Sequence, residues 1–238
     1  MDILNDFIHI QKKALRNTFK NPRYIVLCAV VLAIGIIATN IISNILFGVL
    51  KLNGYISGLL VYIFKICVIG FLMSILYNGV KDTRNSLTFQ NYDFKPFALK
   101  LIQVGFVIYI AQLLLRPIAM NFYSIVTIVA MIVLNALPET LYLDDYDGYN
   151  SIIKSVEFFK DNAFNWGLPN IIIMALLYAL TNEASLLSSL YFSDLKSIAK
   201  SVVVILIMGI YLMYRGILFE ILNGSSRRKR EFMRNFNE

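Results

Sequence analysis

The stretch Tyr24–Leu50, YIVLCAVVLAIGIIATNIISNILFGVL, contains no Asp, Glu, Lys or Arg. Coiled as an α-helix at ~1.5 Å rise per residue it extends roughly 40 Å. That exceeds the ~30 Å hydrocarbon core of a bilayer, which about 20 mainly apolar residues can cross. Comparable charge-poor runs follow it along the chain, so the first helix crosses at about Tyr24–Phe47 and five more at about Ser57–Val80, Phe97–Leu115, Pro117–Leu141, Phe164–Asn182 and Ser201–Leu222. The third and fourth are separated only by Arg116 and Pro117, which predicts a tight helical hairpin there.

Composition agrees. The chain of 238 residues is 58% apolar and 16% charged, with a mean hydropathy of +0.66, against about half and a quarter in soluble proteins. The expected fold is all-α: a polytopic membrane bundle of six transmembrane helices over residues 24–222, preceded by a cytoplasmic interfacial helix over 1–23 and followed by a basic cytoplasmic tail over 223–238. Met1–Arg23 is charged and the run after it is too long for a signal peptide, so the amino-terminal segment is expected to be retained. Cys28 and Cys67 both fall inside predicted spans and read as small buried hydrophobes, not a disulfide framework. With His9 the lone histidine, no zinc site, metal or cofactor is expected.

Positive residues near span ends are held in the cytoplasm. One side of the predicted topology gathers Lys12, Lys13, Arg16, Lys20, Arg23, Lys81, Arg84, Lys95, Lys100, Lys154, Lys160, Arg215 and the tail cations; the other has only Lys51, Arg116, Lys196 and Lys200. Both termini are therefore expected inside, in a bacterial cytoplasmic membrane. The same asymmetry explains the basic balance without nucleic acid as a partner.

Two cytoplasmic segments are amphipathic. Between Asp2 and Phe19, the residues Leu4, Phe7, Ile8, Leu15 and Phe19 share a helical face that excludes Lys12, Lys13 and Arg16, the layout of a helix lying in the interface. Over 149–161, Ile152, Ile153, Val156 and Phe159 have helical spacing. Phe19–Lys20, Phe94–Lys95 and Phe159–Lys160 each precede a predicted hairpin, which suggests a threefold repeat, although aromatics and lysines gather at membrane boundaries in any case. The apolar residues within 183–200 fit either an outer-surface segment or a prolonged fifth helix.

From Pro138 to Met174 the chain reads Pro138, Glu139, an acidic loop with Gly148, then Ile152, Lys154, Ser155, Phe159, Lys160, Asn162, Trp166 and Gly167 ahead of a fresh span. Tyr214, Arg215, Gly216, Leu218 and Phe219 stand just before the basic tail. This pattern resembles a bacterial family of six-helix integral membrane proteins, similar to the membrane domain attached to some glycerophosphoryl diester phosphodiesterases. The resemblance implies a six-helix fold with a short amphipathic helix before the fifth span. It implies no hydrolase, because the catalytic barrel would need more residues than this chain has to spare.

Few residues invite chemistry. Lys65 lies within the second span, where a mid-bilayer charge costs about 2.5–3.5 kcal/mol on insertion scales. If that span ends near Val80, Lys65 sits about one turn below the outer surface and can snorkel; a partner in the bundle or a transport role are the alternatives. Glu139 and Arg215 are expected near the cytoplasmic ends of the fourth and sixth spans, and Glu183 at the opposite boundary. Short loops favour headgroups and water for all three, and pairing of Glu139 with Arg215 across the bundle is the alternative. Asn40, Gln103, Gln112, Asn135 and Thr181 read as interhelical hydrogen-bonding residues.

Asp144, Asp145 and Asp147 beside Gly148 lack the ligand spacing of a calcium loop and read as a solvated turn. Arg227, Arg228, Lys229 and Arg230 are placed to meet anionic lipid headgroups, at about 1 kcal/mol per cation near the surface. No phosphate-cradling loop, nucleophile elbow or metalloprotease helix occurs. The expected function is therefore non-enzymatic: an accessory or scaffold in envelope or lipid homeostasis, with membrane lipids and a possible protein partner. A small transporter or channel using a polar interior around Lys65 is the alternative, and an intramembrane lipid enzyme built on Glu139 and Arg215 a more remote one.

Overall fold

The computed structural model describes residues 3–51, 53–81, 93–118, 122–181 and 195–223, and these form an all-helical chain. In order the helices are α1 (Ile3–Thr18), α2 (Pro22–Asn44, continued by a π turn Ile45–Val49), α3 (Gly54–Lys81), α4 (Lys95–Ile118), α5 (Tyr123–Val133), α6 (Leu137–Leu143), α7 (Gly148–Thr181) and α8 (Leu195–Asn223). Six helical stretches are long and apolar enough to cross a membrane: Pro22–Val49, Gly54–Lys81, Lys95–Pro117, Tyr123–Leu143, Gly148–Leu180 and Ala199–Asn223. The chain is a multi-pass membrane protein by this measure.

The hairpin between the third and fourth spans differs from expectation. Arg116 and Pro117 both lie inside α4, which runs to Ile118 before α5 begins at Tyr123. Proline removes one hydrogen bond and crowds the carbonyl four residues before it, a cost confined here to the last turn because α4 stops one residue later. Pro22 and Pro96 occupy the first turns of α2 and α4, where a missing N–H costs nothing. The 195–200 segment, left open by the sequence, belongs to the start of α8; residues 183–194 lie outside the described residues, as do Glu183 and the four cations Arg227, Arg228, Lys229 and Arg230.

Packing is concentrated at one end of the bundle. Cys28, Ile75, Leu141, Trp166, Met213, Leu218 and Phe219 are fully enclosed there, whereas α5 buries no side chain and Leu113, Leu114, Ile125, Ile128 and Met131 are exposed. Such a surface is stable against acyl chains and not against water. Small residues let backbones approach: a methyl group on Gly209 of α8 would come 2.8 Å from the Ile25 carbonyl oxygen of α2, and one on Gly35 would overlap Val68 of α3. Gly209→Ala is accordingly expected to destabilise the bundle by about 1–3 kcal/mol, read as a lower unfolding midpoint in detergent. Gly58→Ala, at a position open to space, should leave the midpoint unchanged.

On α1 and the first half of α7 only part of the expected apolar face meets the bundle: Phe7 contacts Phe164, and Ile152 and Phe159 pack against the core. On α1, Ile10, Ala14 and Thr18 are buried against the bundle, four residues apart. Leu4, Ile8, Leu15 and Phe19 are all exposed, and Lys12, Lys13 and Arg16 are exposed on the remaining side. At roughly 100° per residue, this gives α1 three faces: one toward protein, one apolar and uncovered, one cationic. In the first half of α7, Ser151, Ser155 and Phe158 are buried and Ile152 and Phe159 pack against the core, while Tyr149, Ile153 and Val156 are exposed. Its backbone leaves helical geometry at Asn162 (φ −126°, ψ 17°), where the Asn162 amide donates to the Phe158 carbonyl at 3.2 Å. That break divides the amphipathic half of α7 from its long apolar half.

Candidate functional site

Two prolines organise the polar interior. Pro138 has no N–H for the Leu134 carbonyl, and the chain tightens into a 3₁₀ turn over Leu134–Ala136 in which the Leu137 N–H serves that carbonyl instead. This turn presents Asn135 to the bundle. Pro169, inside α7, leaves the Asn165 carbonyl without its helical donor. The Gln11 side-chain amide of α1 fills the vacancy, donating to Asn165 O at 2.9 Å, and its oxygen accepts from the Tyr214 hydroxyl of α8. One glutamine thus ties three helices together, helped by an edge-on Phe7–Phe164 contact at 5.3 Å.

Arg215 stands at the centre of the network. Its Nε donates to Glu139 Oε1 at 2.7 Å and its Nη2 to Oε2 at 2.8 Å, a bidentate pair between α8 and α6. Nη2 also reaches the Asn135 carbonyl, and Nη1 donates to the Tyr211 hydroxyl at 3.3 Å. The guanidinium lies 5.1 Å from the Trp166 ring centroid and 5.4 Å from that of Tyr211, so its faces as well as its edges are occupied. Tyr211 in turn donates to Asn170 Oδ1 at 2.7 Å, Asn170 donates to the Trp166 carbonyl at 2.7 Å, and Trp166 Nε1 donates to Asn135 Oδ1 at 3.1 Å. Phe158 and Phe219 enclose the indole.

The sequence named Glu139 and Arg215 as candidate contacts for a ligand or ion, with water and headgroups favoured. The structure gives them to each other: Glu139 is 1% exposed and Arg215 9%. Both carboxylate oxygens and all three guanidinium nitrogens have protein partners. A pair so fully engaged is a structural clasp between α6 and α8.

Lys65 lies in the interior of α3. That helix runs from Gly54 to Lys81, longer than the ~30 Å a crossing requires, and Lys65 stands eleven residues from its start. Its side chain is exposed and makes no ion pair among the described residues. Of the expected bonding residues, Asn135 and Gln103 do join helices, Gln103 by accepting from the Gly148 N–H at 3.2 Å. Asn40 and Gln112 are exposed, and the Thr181 side chain lies outside the described residues.

The acidic loop is held by its backbone more than by its carboxylates. Lys100 of α4 donates to the Leu141 and Asp144 carbonyls at 3.3 and 2.9 Å, closing the end of α6. Ser151 donates its N–H to the Asp147 carbonyl at 2.8 Å and its hydroxyl to the same oxygen at 3.0 Å. Asp144 is the exception: Asn223 donates to its Oδ1 at 3.0 Å, and burial raises its carboxyl above the ordinary aspartate value, partly offset by Lys154. No cluster of three metal-ligating side chains occurs among the described residues.

Two grooves are open on the bundle's flank. The larger, about 750 Å³, runs along the apolar half of α7 beside Ile132 and Asn135, from Phe159 and Phe164 to Tyr178. The smaller, about 380 Å³ and wholly apolar, lies between α2 and α3 around Gly35 and Val68. Lys65 lines neither. No family model, curated protein or solved structure matches the chain.

Proposed function

We propose that the protein is a non-enzymatic, multi-pass component of a bacterial cytoplasmic membrane, with both termini inside, acting as an accessory or scaffold in envelope or lipid homeostasis. The observation that carries this reading is the three-faced helix α1, together with a second uncovered apolar stripe on the first half of α7. α1 buries Ile10, Ala14 and Thr18 and leaves an apolar stripe exposed beside its cations, and the first half of α7 buries Ser151, Ser155 and Phe158 while Tyr149, Ile153 and Val156 stay exposed near Lys160. A stripe of Leu4, Ile8, Leu15 and Phe19 next to Lys12, Lys13 and Arg16 suits the boundary between acyl chains and anionic headgroups. The basic residues Arg227, Arg228, Lys229 and Arg230 would add to the same grip.

The closed Glu139–Arg215 clasp supports a scaffold over a catalyst, since its ionisable groups are consumed in joining α6 to α8. The likeness of Pro138–Met174 to the six-helix family favours the same architecture and adds no activity to it. Purified protein reconstituted into vesicles of bacterial lipid is expected neither to convert those lipids nor to move small ions or solutes across them. Lys12 should react with an impermeant amine reagent only in inverted membrane vesicles. Lipid turnover, solute flux without a partner, or labelling of Lys12 from outside intact cells would each overturn the proposal.

A further inference from the structure

The larger groove has a built polar end. Trp166 Nε1 can only donate, so the atom of Asn135 facing it is the carbonyl oxygen; this fixes the other end of the amide as the nitrogen. Asn135 lines the groove, and its Nδ2 has no acceptor among the described residues. In hydrocarbon an unsatisfied donor costs several kcal/mol, so an occupant bringing an acceptor to this point is favoured. Beyond it the wall is apolar, formed by Ile171, Met174, Ala175 and Tyr178. Its depth is kept by Gly167, where an added methyl group would meet nothing within 4 Å.

The dimensions select the occupant. From Trp166 to Tyr178 the helix advances twelve residues, roughly 18 Å, close to the ~15 Å of hydrocarbon belonging to one leaflet. The cavity falls within the ~300–1,000 Å³ class of small-molecule sites. It opens at the level of Phe164, where α1 is docked through Phe7 and Gln11, and Lys160 is exposed one turn earlier. We propose that this groove is a lipid site: it holds one acyl chain of a glycerophospholipid from the leaflet on which α1 lies, with the chain's ester carbonyl accepting from Asn135 Nδ2. The site deepens the scaffold reading, because it gives the lipid that the protein would sense or retain a defined place.

Trp166 is the sole tryptophan and lines the groove, which makes it the reporter. The full chain, reconstituted in phosphatidylglycerol and phosphatidylethanolamine whose acyl chains are brominated, is expected to show strong quenching of Trp166 emission. Gly167→Leu and Ala175→Phe, which fill the groove by different routes, should at least halve the quenching. Ala130→Leu, an exposed position on α5 outside the groove, should leave it unchanged. A photoreactive residue at Met174 should gain the mass of one phospholipid. Equal quenching in all four proteins would reduce the site to bulk annular lipid and overturn the proposal, as would capture of a polypeptide at Met174 in native membranes. Either failure would leave the surface position of α1, tested separately below, untouched.

Discussion

Glu139→Leu is expected to destabilise the bundle by about 3–5 kcal/mol, the cost of leaving a buried charge without its partner. Arg215→Met should cost less. A buried carboxyl can be neutralised by a proton, whereas a guanidinium cannot lose its charge, so the arginine-only protein keeps an ion in an apolar interior and the carboxyl-only protein does not. The double variant Glu139→Leu/Arg215→Met should cost less than the sum of the two, with a coupling of about 1–3 kcal/mol in the cycle. It should not recover everything, because the Asn135 carbonyl and the Tyr211 hydroxyl lose their donor as well. Unfolding midpoints in mild detergent for the four proteins measure this directly. Additive single effects would show that the pair is not the clasp described.

The second large effect concerns Gln11. Gln11→Leu strands two groups, the Asn165 carbonyl and the Tyr214 hydroxyl, at about 1–3 kcal/mol for each polar group left unsatisfied where it is buried. The expected result is release of α1 from the bundle: a cysteine placed at Ala14, fully buried in the wild type, becomes reactive toward maleimide. The cause of the vacancy supplies the control. Pro169→Ala restores the N–H that the Asn165 carbonyl lacks, so the double variant Gln11→Leu/Pro169→Ala should be more stable than Gln11→Leu alone. If Pro169→Ala gives no relief, the glutamine is not serving the proline-orphaned carbonyl.

The spans were readable because a helix in lipid satisfies its own amides and needs only length and apolarity, and runs such as Tyr24–Leu50 show both. The faces were not. Between bilayer and bundle the contrast is apolar against apolar, so hydrophobic spacing does not separate a lipid-facing stripe from a packed one. Leu4, Phe7, Ile8, Leu15 and Phe19 share helical spacing, yet of these Phe7 reaches the bundle, through Phe164, and the other four are exposed; the bundle buries Ile10, Ala14 and Thr18, set four residues apart.

Glu139 and Arg215 were both singled out from sequence, but they lie 76 residues apart and only the fold brings them together. Asn135 reads as a bonding residue from the sequence, whereas its partner Trp166, and Asn170 and Tyr211 further along the network, do not. Gln11 was passed over entirely. Its signal was present in another helix, since Pro169 within an apolar run announces an orphaned carbonyl four residues earlier and a donor to be found.

The surface position of α1 is tested most directly by spin labels placed singly along it in lipid vesicles, with collision rates measured for oxygen and for a water-soluble nickel chelate. The account predicts three phases within one helical period: labels at Leu4, Ile8, Leu15 and Phe19 favour oxygen, labels at Asn5, His9 and Lys13 favour nickel, and labels at Ile10, Ala14 and Thr18 meet neither. Equal nickel access at Leu4, Ile8, Leu15 and Lys13 would place the apolar stripe in water and contradict it.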